Sequence, residues 1–261
     1  KMNETLVYFP GCLASRKFPG FDYSTRFILE KLNLDYKMSD EFSCCPDPVW
    51  VRSLSYKEWK ERGIKNLEIA KNLGSRLVTI CNGCFETLFT IKKTFFNGKS
   101  IPVEHLIYTL WKNKKEEIKN KIVNPLKGKR FGIHEGCHFK RPTSLTLTEF
   151  KELKEINVLK EMVELLGAEA VVKNESCCGL PNFITDKELS LSLARKRIDE
   201  FKDVDGIVVI CPSCFSQFEN VLVNDKKELP VYFYFELLAY SLGLDKEKIG
   251  FEFHRIKPFS I

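Results

Sequence analysis

The ten cysteines of this 261-residue chain fall into two sets that share one order. In each set a single cysteine is followed by an adjacent pair and then by a CxxC. The first set is Cys12, Cys44, Cys45, Cys81 and Cys84, and the second is Cys137, Cys177, Cys178, Cys211 and Cys214. Because no cysteine is left over, the pattern indicates two equivalent sites rather than scattered thiols.

The number of thiols in each set limits the chemistry. Soft thiolate ligands select zinc, copper(I) or iron–sulfur clusters. Structural zinc and cubane clusters take four ligands, whereas each set offers five. Adjacent cysteines tend to diverge around one small ion and suit a larger body with several irons. The count favours a cluster with more than four protein ligands. Zinc in at least one half, a thioredoxin-like redox pair, and structural cysteines or disulfides are the alternatives.

Composition and charge narrow the class of protein. The chain is 44% hydrophobic and 29% charged, which is enough for a substantial core. Lys and Glu are interleaved under a net charge of +6, so we expect a solvated surface and no nucleic-acid partner. We see no signal peptide or transmembrane segment and expect a cytoplasmic protein. In the cytoplasm, cysteines usually take part in metal or redox chemistry. Intracellular proteins of hyperthermophiles can contain disulfides, and the Lys- and Glu-rich composition leaves that alternative open.

Strands must deliver these cysteines to their sites. Four β-prone runs, 5–9, 76–80, 130–134 and 206–210, each end just before a cysteine. Prolines and glycines place both adjacent pairs in loops. Helical patterns occupy residues 23–34, 54–73, 85–95, 153–166, 189–201 and 215–223.

Matching features recur at nearly one spacing. The offset is 125 residues from Cys12 to Cys137, 130 from Cys81 to Cys211, and 128 from Pro102 to Pro230. Such self-similarity indicates an internal duplication. We predict an α/β fold of two pseudo-symmetric Rossmann-like halves, residues 1–127 and 128–261. The cysteine-bearing loops should lie at the carboxyl ends of the strands and face a shared cleft.

The stretches around the cysteines resemble the duplicated cysteine-rich CCG module of the heterodisulfide reductase B-subunit family, from Leu6 to about Leu244. One departure is the 32-residue gap between Cys178 and Cys211, slightly short of that family's spacing, so we expect a shortened helix or loop there. The matching stretches are Phe9-Pro10-Gly11-Cys12, Phe42-Ser43-Cys44-Cys45-Pro46, Cys81-Asn82-Gly83-Cys84, Gly136-Cys137-His138, Ser176-Cys177-Cys178-Gly179 and Cys211-Pro212-Ser213-Cys214.

The resemblance implies two noncubane [4Fe-4S] clusters, one bound by each set of five cysteines, with no catalytic residues beyond these ligands. It implies electron transfer to the mixed disulfide of coenzyme M and coenzyme B, held between the clusters, as in archaeal methanogenesis. The ends of that substrate are anionic, so basic residues near the first cysteine of each set are candidates to bind it. These candidates are Arg16, Lys17, Lys140 and Arg141, with His138; solvated loop charge and a packed histidine are the alternatives.

Partners are expected because the chain lacks the CxxCxxCxxxC run of ferredoxin-type clusters. We expect a ferredoxin-like subunit, and the resemblance adds a flavin-containing subunit and a hydrogenase or formate dehydrogenase. The aromatic run from Tyr232 to Tyr240 is either a core helix or part of such an interface. Related modules would instead serve a sulfur-oxidising disulfide-handling complex or a fumarate, lactate or glycolate enzyme. A zinc-stabilised, non-catalytic scaffold is the rival from another class.

Overall fold

The computed structural model describes residues 5–96, 99–140, 149–174 and 176–258. Within them the chain forms two four-stranded sheets with the same connectivity, ordered β2-β1-β3-β4 and β6-β5-β7-β8. Every strand pairing is parallel. The strands are β1 (Leu6–Phe9), β2 (Tyr36–Lys37), β3 (Arg76–Thr79), β4 (Val103–His105), β5 (Arg130–His134), β6 (Glu169–Val172), β7 (Gly206–Val209) and β8 (Val231–Phe233).

Helices connect the strands, as parallel pairing requires. Short 3₁₀ turns occupy Lys151–Lys154, Leu180–Asn182 and Phe251–Phe253. The described α-helices are α1 (Cys12–Arg16), α2 (Pro19–Lys31), α3 (Trp50–Leu54), α4 (Tyr56–Leu73), α5 (Asn82–Phe95), α6 (Leu106–Lys121), α7 (Cys137–Lys140), α8 (Val158–Leu165), α9 (Lys187–Asp199), α10 (Pro212–Asn224), α11 (Tyr234–Ser241) and α12 (Lys246–Ile249).

The register of the central strands brings the cysteine loops together. Phe9 is level with Thr79 in the first sheet, and His134 is level with Val209 in the second. The loops that follow therefore leave the same edge of each sheet. This confirms the predicted α/β fold of two similar parallel halves, whereas their division at residues 127 and 128 stays a prediction.

The halves pack through elements that are equivalent in the duplication. Helix α2 contacts α11, and its counterpart α8 contacts α6; likewise α1 contacts α10 and α5 contacts α7. Phe21 of α2 is stacked on Phe233 of the other half, with ring centroids 4.1 Å apart. Each half thus buries part of its apolar surface against its twin, in an approximately two-fold arrangement.

The aromatic run near the carboxyl end belongs to the core. Its residues form β8 and α11, and Tyr232 to Ala239 are buried. The core alternative is therefore confirmed. Among the helices that the structure describes, none has the length and apolar character needed to cross a bilayer.

Several predicted helix boundaries were wrong for local reasons. Helix α2 begins at Pro19, whose fixed φ suits a first helical position, four residues before the predicted start. The predicted start at residue 153 falls in a 3₁₀ turn, and α8 begins only after Asn157, whose side chain accepts a hydrogen bond from the backbone of Lys160. Helix α9 has 13 residues where its counterpart α4 has 18, so the helix before Cys211 is the shorter of the two, while a shortening relative to the family stays a prediction.

Candidate metal centre and cleft

A glycine in the left-handed region precedes the first cysteine of each set. Gly11 has φ 77° and Gly136 has φ 84°, and each turns the chain from a strand into a short helix that begins with the cysteine. A Cβ on Gly11 would lie 2.9 Å from Cys84 Sγ. The missing side chain lets the backbone pass directly beside a cysteine of the CxxC.

Each CxxC lies at the amino end of a long helix. Cys81 is the N-cap of α5 and Cys211 is the N-cap of α10, and the second cysteine of each motif falls in the first turn. The positive end of the helix dipole favours thiolate at these positions. Both motifs are therefore placed where anionic sulfur is stabilised.

The two loops that hold the adjacent cysteines are anchored by different residues. Asn66 of α4 is fully buried; its Oδ1 accepts from Ser43 N at 3.0 Å and its Nδ2 donates to Cys44 O at 3.2 Å. In the second half, the buried Arg197 of α9 donates to Asn174 O at 2.7 Å and to Ile133 O at 2.9 Å. A neutral amide thus supports the first loop and a cation supports the second.

All ten thiols are free, and for each of them the largest influence on the pKa is a neighbouring thiol, so the ten can be ordered in one path of interacting thiols. The second half of the path mirrors the first, and Cys81 and Cys211 join the two halves. Cys137 Sγ and Cys177 Sγ are 3.8 Å apart. The order is Cys12, Cys44, Cys45, Cys84, Cys81, Cys211, Cys214, Cys178, Cys177 and Cys137.

The protonation of these thiols depends on their neighbours. Hydrogen bonds from Cys214 and Cys81 hold the pKa of Cys211 well below its ordinary value. The contact with Cys211 raises the pKa of Cys81, and hydrogen bonds from Cys44 and Cys84 lower the pKa of Cys45 to about 7. Since packed thiols cannot all ionise without a cation among them, this donor set fits a metal body beside each set of five thiols.

A smaller group in the second half also has the geometry of a metal site. Ligand atoms of His134, Cys178 and Cys214 all lie within 4.8 Å of one another. Burial, and then the charge of Arg197, lower the pKa of His134 to about 3, so the imidazole is neutral, as a metal ligand must be. Phe9 occupies the equivalent strand position in the first half, so this group has no histidine counterpart there.

A shared cleft lies between the two sets. A cavity of about 280 Å³ beside the first set meets a smaller one beside the second. Trp50 Nε1 donates to Pro181 O at 2.8 Å and so links the two walls. Asn82 Nδ2 donates across the halves to Glu135 O at 2.7 Å. The residues lining both cavities are Asp47, Pro48, Trp50, Gly83, Leu180 and Ser213.

The predicted substrate-binding residues have different surroundings. His138 lines the cleft, and its Nδ1 contacts the carboxylate of Glu86; burial lowers its pKa, but Glu86 gives a net rise. Lys17 Nζ donates to Ser216 Oγ at 2.8 Å, beside the first set. Arg16 is exposed at the end of α1.

Of the second basic pair, Lys140 lies in the part of the chain that the structure describes. Lys140 Nζ lies 3.1 Å from the buried carboxylate of Glu135, so its charge is directed at the protein. Arg141 lies outside the described residues.

Sequence reasoning missed four residues that shape the site: Trp50, Asn66, Glu86 and Arg197. Asn66 and Arg197 are both 11 residues after the cap of their helix, Ser55 or Asp186. Their shared position in the duplication was the only signal, and it was weak because the residue types differ. Glu86 looks like an ordinary charged residue until the fold shows that it is buried.

The comparisons agree with this architecture. A crystal structure of a hypothetical protein from Helicobacter pylori matches 100% of this chain and 53% of its own chain, with a TM-score of 0.73 at 13% identity, which shows a shared fold. The B subunit of the ferredoxin/F(420)H(2)-dependent CoB-CoM heterodisulfide reductase from Methanosarcina acetivorans is 27% identical over 97% of this chain and 94% of its own.

Two further relatives widen the range of functions. The B subunit of the ferredoxin:CoB-CoM heterodisulfide reductase from Methanosarcina mazei is 29% identical over 96% of this chain and 93% of its own. The 8-methylmenaquinol:fumarate reductase membrane anchor subunit from Wolinella succinogenes is 21% identical over 95% and 96%. The cysteine-rich CCG domain matches twice, at residues 6–89 and 131–219, so that each match holds one complete set of five cysteines. The chain therefore belongs to the cysteine-rich CCG domain family.

Proposed function

We propose that this chain is the disulfide-reducing subunit of an oxidoreductase complex and that it acts on a mixed disulfide of the CoB-CoM type. The observation that carries this proposal is that two equivalent sets of five thiols border the two adjoining cavities of one cleft. Two relatives, 27% and 29% identical over almost the whole chain, are named as B subunits of CoB-CoM heterodisulfide reductases.

The ten cysteines would hold two noncubane [4Fe-4S] clusters, five ligands each. When bound, iron–sulfur clusters supply one-electron transfer. Reduction of a disulfide needs two electrons and two protons and yields two thiols. A cleft bordered by both sets lets the two sulfur atoms be approached from opposite sides.

The chain's own residues position the substrate and supply a proton. Pro48 and Trp50 form one wall of the cleft, and Leu180 and Pro181 form the other. His138 lines the cleft, and its ring orientation is set by the bond from Nδ1 to Glu86. We place His138 as the proton donor to a product thiolate, with Glu86 as its positioning residue.

Electrons would arrive from a ferredoxin-like subunit, itself supplied by a flavin-containing subunit and, in some complexes, a hydrogenase or formate dehydrogenase. Cys12 and Cys44 are exposed, whereas Cys45, Cys81 and Cys84 are buried. The exposed pair marks a point where the first set comes closest to the surface and where a donor subunit would dock. The cytoplasmic location expected from the sequence stays a prediction.

Two other functions have specific support. The group formed by His134, Cys178 and Cys214 would favour zinc in the second half and a structural role there. The relative from a fumarate reductase favours a CCG subunit that serves a different oxidoreductase.

Metal analysis separates these possibilities. Anaerobically purified protein should contain about four irons and four sulfides per half. Zinc without iron in the second half would support the structural role. A panel of substrates on the purified complex then decides the reaction, since turnover of fumarate with none of the heterodisulfide would reject the proposed activity.

Single substitutions test the five-ligand arrangement. Cys178→Ser should reduce the iron content to roughly half and abolish disulfide turnover. Cys45→Ser, its equivalent in the first half, is the matched control, and it should remove iron from the other set. Full iron and full activity in Cys178→Ser would contradict five cysteine ligands in that half.

A further inference from the structure

The contact between His134 and Arg197 decides which ring nitrogen of His134 carries a proton. Both residues are buried, and Arg197 Nε lies 3.3 Å from His134 Nδ1. A guanidinium can only donate hydrogen bonds, so Nδ1 must be the acceptor. The ring of His134 is therefore neutral, and its single N–H is on Nε2.

Arg197 is held in place by other contacts. Its Nη1 donates to Asn174 O at 2.7 Å, and its Nη2 donates to Ile133 O at 2.9 Å. The guanidinium also lies over the ring of Phe201, 4.5 Å from the centroid. With the guanidinium fixed in this way, Nε stays directed at His134 Nδ1. The fold thus sets the tautomer of His134.

The N–H on Nε2 lies beside sulfur atoms of the second set. Nε2 is buried and has no hydrogen-bond partner among the residues that the structure describes. A Cβ on Gly136 would lie 3.8 Å from His134 Nε2 and 3.3 Å from Cys214 Sγ, so both atoms border the same point. Ligand atoms of His134, Cys178 and Cys214 all lie within 4.8 Å of one another. Because an unpaired donor is costly in the interior, thiolate sulfur is the acceptor that this position favours.

The same tautomer argues against His134 as a metal ligand. A metal ion bound through Nε2 would need the proton on Nδ1, where it would meet the N–H of Arg197 Nε. Two donors would then face each other in the interior with no acceptor between them. The group of His134, Cys178 and Cys214 therefore has the spacing of a zinc site, whereas its protonation suits a hydrogen-bond donor.

The first half has other residues at both positions. Phe9 occupies the strand position of His134, and Asn66 occupies the helix position of Arg197. Phe9 is buried and packs against Phe42, with ring centroids 5.0 Å apart. At this strand position the first half thus has a ring without an N–H, so the donor distinguishes the two sets.

We propose that His134 donates a hydrogen bond from Nε2 to anionic sulfur of the second metal centre, beside Cys178 and Cys214, and that Arg197 fixes the tautomer this requires. The proposal rests on the proposed iron–sulfur function and assigns a positioning residue to one of the two centres. A donor to sulfur stabilises the negative charge that a one-electron reduction adds. The electron comes from the partner subunit, and the proton stays on Nε2. The second centre should therefore be reduced more readily than it would be without His134.

Pulsed electron paramagnetic resonance on the anaerobically purified complex tests the hydrogen bond directly. The signal of the second centre should show a proton coupling that exchanges in heavy water and is lost in His134→Phe. In protein with isotopically labelled histidine, the nitrogen coupling lost in His134→Phe should be weak, because a hydrogen bond separates that nitrogen from iron. Absence of the exchangeable coupling would overturn the proposal. So would the strong coupling of a nitrogen bound to iron, or X-ray absorption that shows His134 bound to zinc.

A redox titration that follows the same signal measures the consequence. His134→Phe, which copies the first half, should lower the equilibrium constant for reduction of the second centre about tenfold, or about 59 mV for one electron. His134→Gln, whose amide is a donor, should recover part of this shift. Phe218→Leu is the matched control, because Phe218 packs against the imidazole, with ring centroids 4.8 Å apart, and has no polar side-chain group. It should leave the potential unchanged, and the first centre should keep its potential in every variant.

The outcomes separate this proposal from the proposed function. Equal potentials in the wild type and His134→Phe, or an equal shift in Phe218→Leu, would overturn the role of His134. If His134→Phe fails to retain iron, the proton and nitrogen couplings of the wild type still decide between a donor and a ligand. The expected coupling and shift in a complex that reduces no disulfide would instead reject the proposed function and leave His134 assigned.

Discussion

Gly136→Ala tests whether the close approach of the backbone to the cysteines is required for the metal centre. Gly136 has φ 84°, and a Cβ there would lie 2.7 Å from Asn82 Nδ2 and 3.3 Å from Cys214 Sγ. Asn82 cannot move away freely because Nδ2 donates to Glu135 O at 2.7 Å. The added methyl group therefore has to displace either a hydrogen bond between the halves or a cysteine.

The magnitude follows from two contributions. A side chain in the left-handed region costs about 1–2 kcal/mol. Loss of the bond from Asn82 adds about 1 kcal/mol. The free energy of unfolding should therefore fall by about 2–3 kcal/mol, and displacement of Cys214 Sγ should lower the iron content of the second half.

Gly128→Ala separates strain from steric displacement. Gly128 has nearly the same φ, 77°, but an added Cβ would meet nothing within 4 Å among the described residues. It should lose only the conformational contribution of about 1–2 kcal/mol and keep its iron. Urea unfolding and iron quantitation after anaerobic purification measure both effects. Equal iron contents in the two variants would refute the reasoning, because contact with Asn82 and Cys214 would then have no consequence.

Two further predictions concern the packing of the halves and a buried ion pair. Phe21→Ala should lower the free energy of unfolding by about 3–5 kcal/mol, because the Phe21 ring is buried against Phe233 of the other half. Tyr23→Ala, on the exposed side of the same helix, is the control and should change the free energy of unfolding by less than about 0.5 kcal/mol. A loss below about 1 kcal/mol in urea unfolding of Phe21→Ala would contradict this role. Burial lowers the pKa of His254, but the Glu236 carboxylate, 3.0 Å away, gives a net rise. The resulting stability is fully present below about pH 6.5 and is lost as the pH rises through the raised pKa of His254. The free energy of unfolding should therefore fall as the pH rises above about 6.5 in the wild type, and it should fall less in Glu236→Gln. Parallel pH profiles of the two proteins would contradict a stabilising ion pair.

Sequence reasoning recovered the parts of the fold that repeat. The strands before Cys12, Cys81, Cys137 and Cys211 were predicted to within a residue or two, because β-prone runs end at unmistakable turns. The pairing of equivalent halves followed from the offsets. Helix starts were less accurate where a cysteine acts as N-cap, since cysteine is not a usual capping residue.

The surroundings of the cysteines could not be predicted in the same way. The ion pair of Lys140 with Glu135 and the contact of His138 with Glu86 depend on which helices meet across the halves. Arg255 is 41 residues after Cys214 in the sequence, and only the turn of the chain back onto α10 brings its backbone to Glu219. Such long-range contacts cannot be predicted from a single sequence.

The two halves share their cysteine pattern but differ in the residues that surround the cysteines. Arg197 supports the second loop where Asn66 supports the first, and it forms an ion pair with Glu200, 2.5 Å away and partly exposed. Burial and then the charge of Arg197 lower the pKa of His134, and the first half has Phe9 at the position equivalent to His134, so the two sets of cysteines have different polar surroundings. Duplication thus explains why there are two sets of cysteines, whereas divergence of the residues around them gives the two sets different electrostatic surroundings.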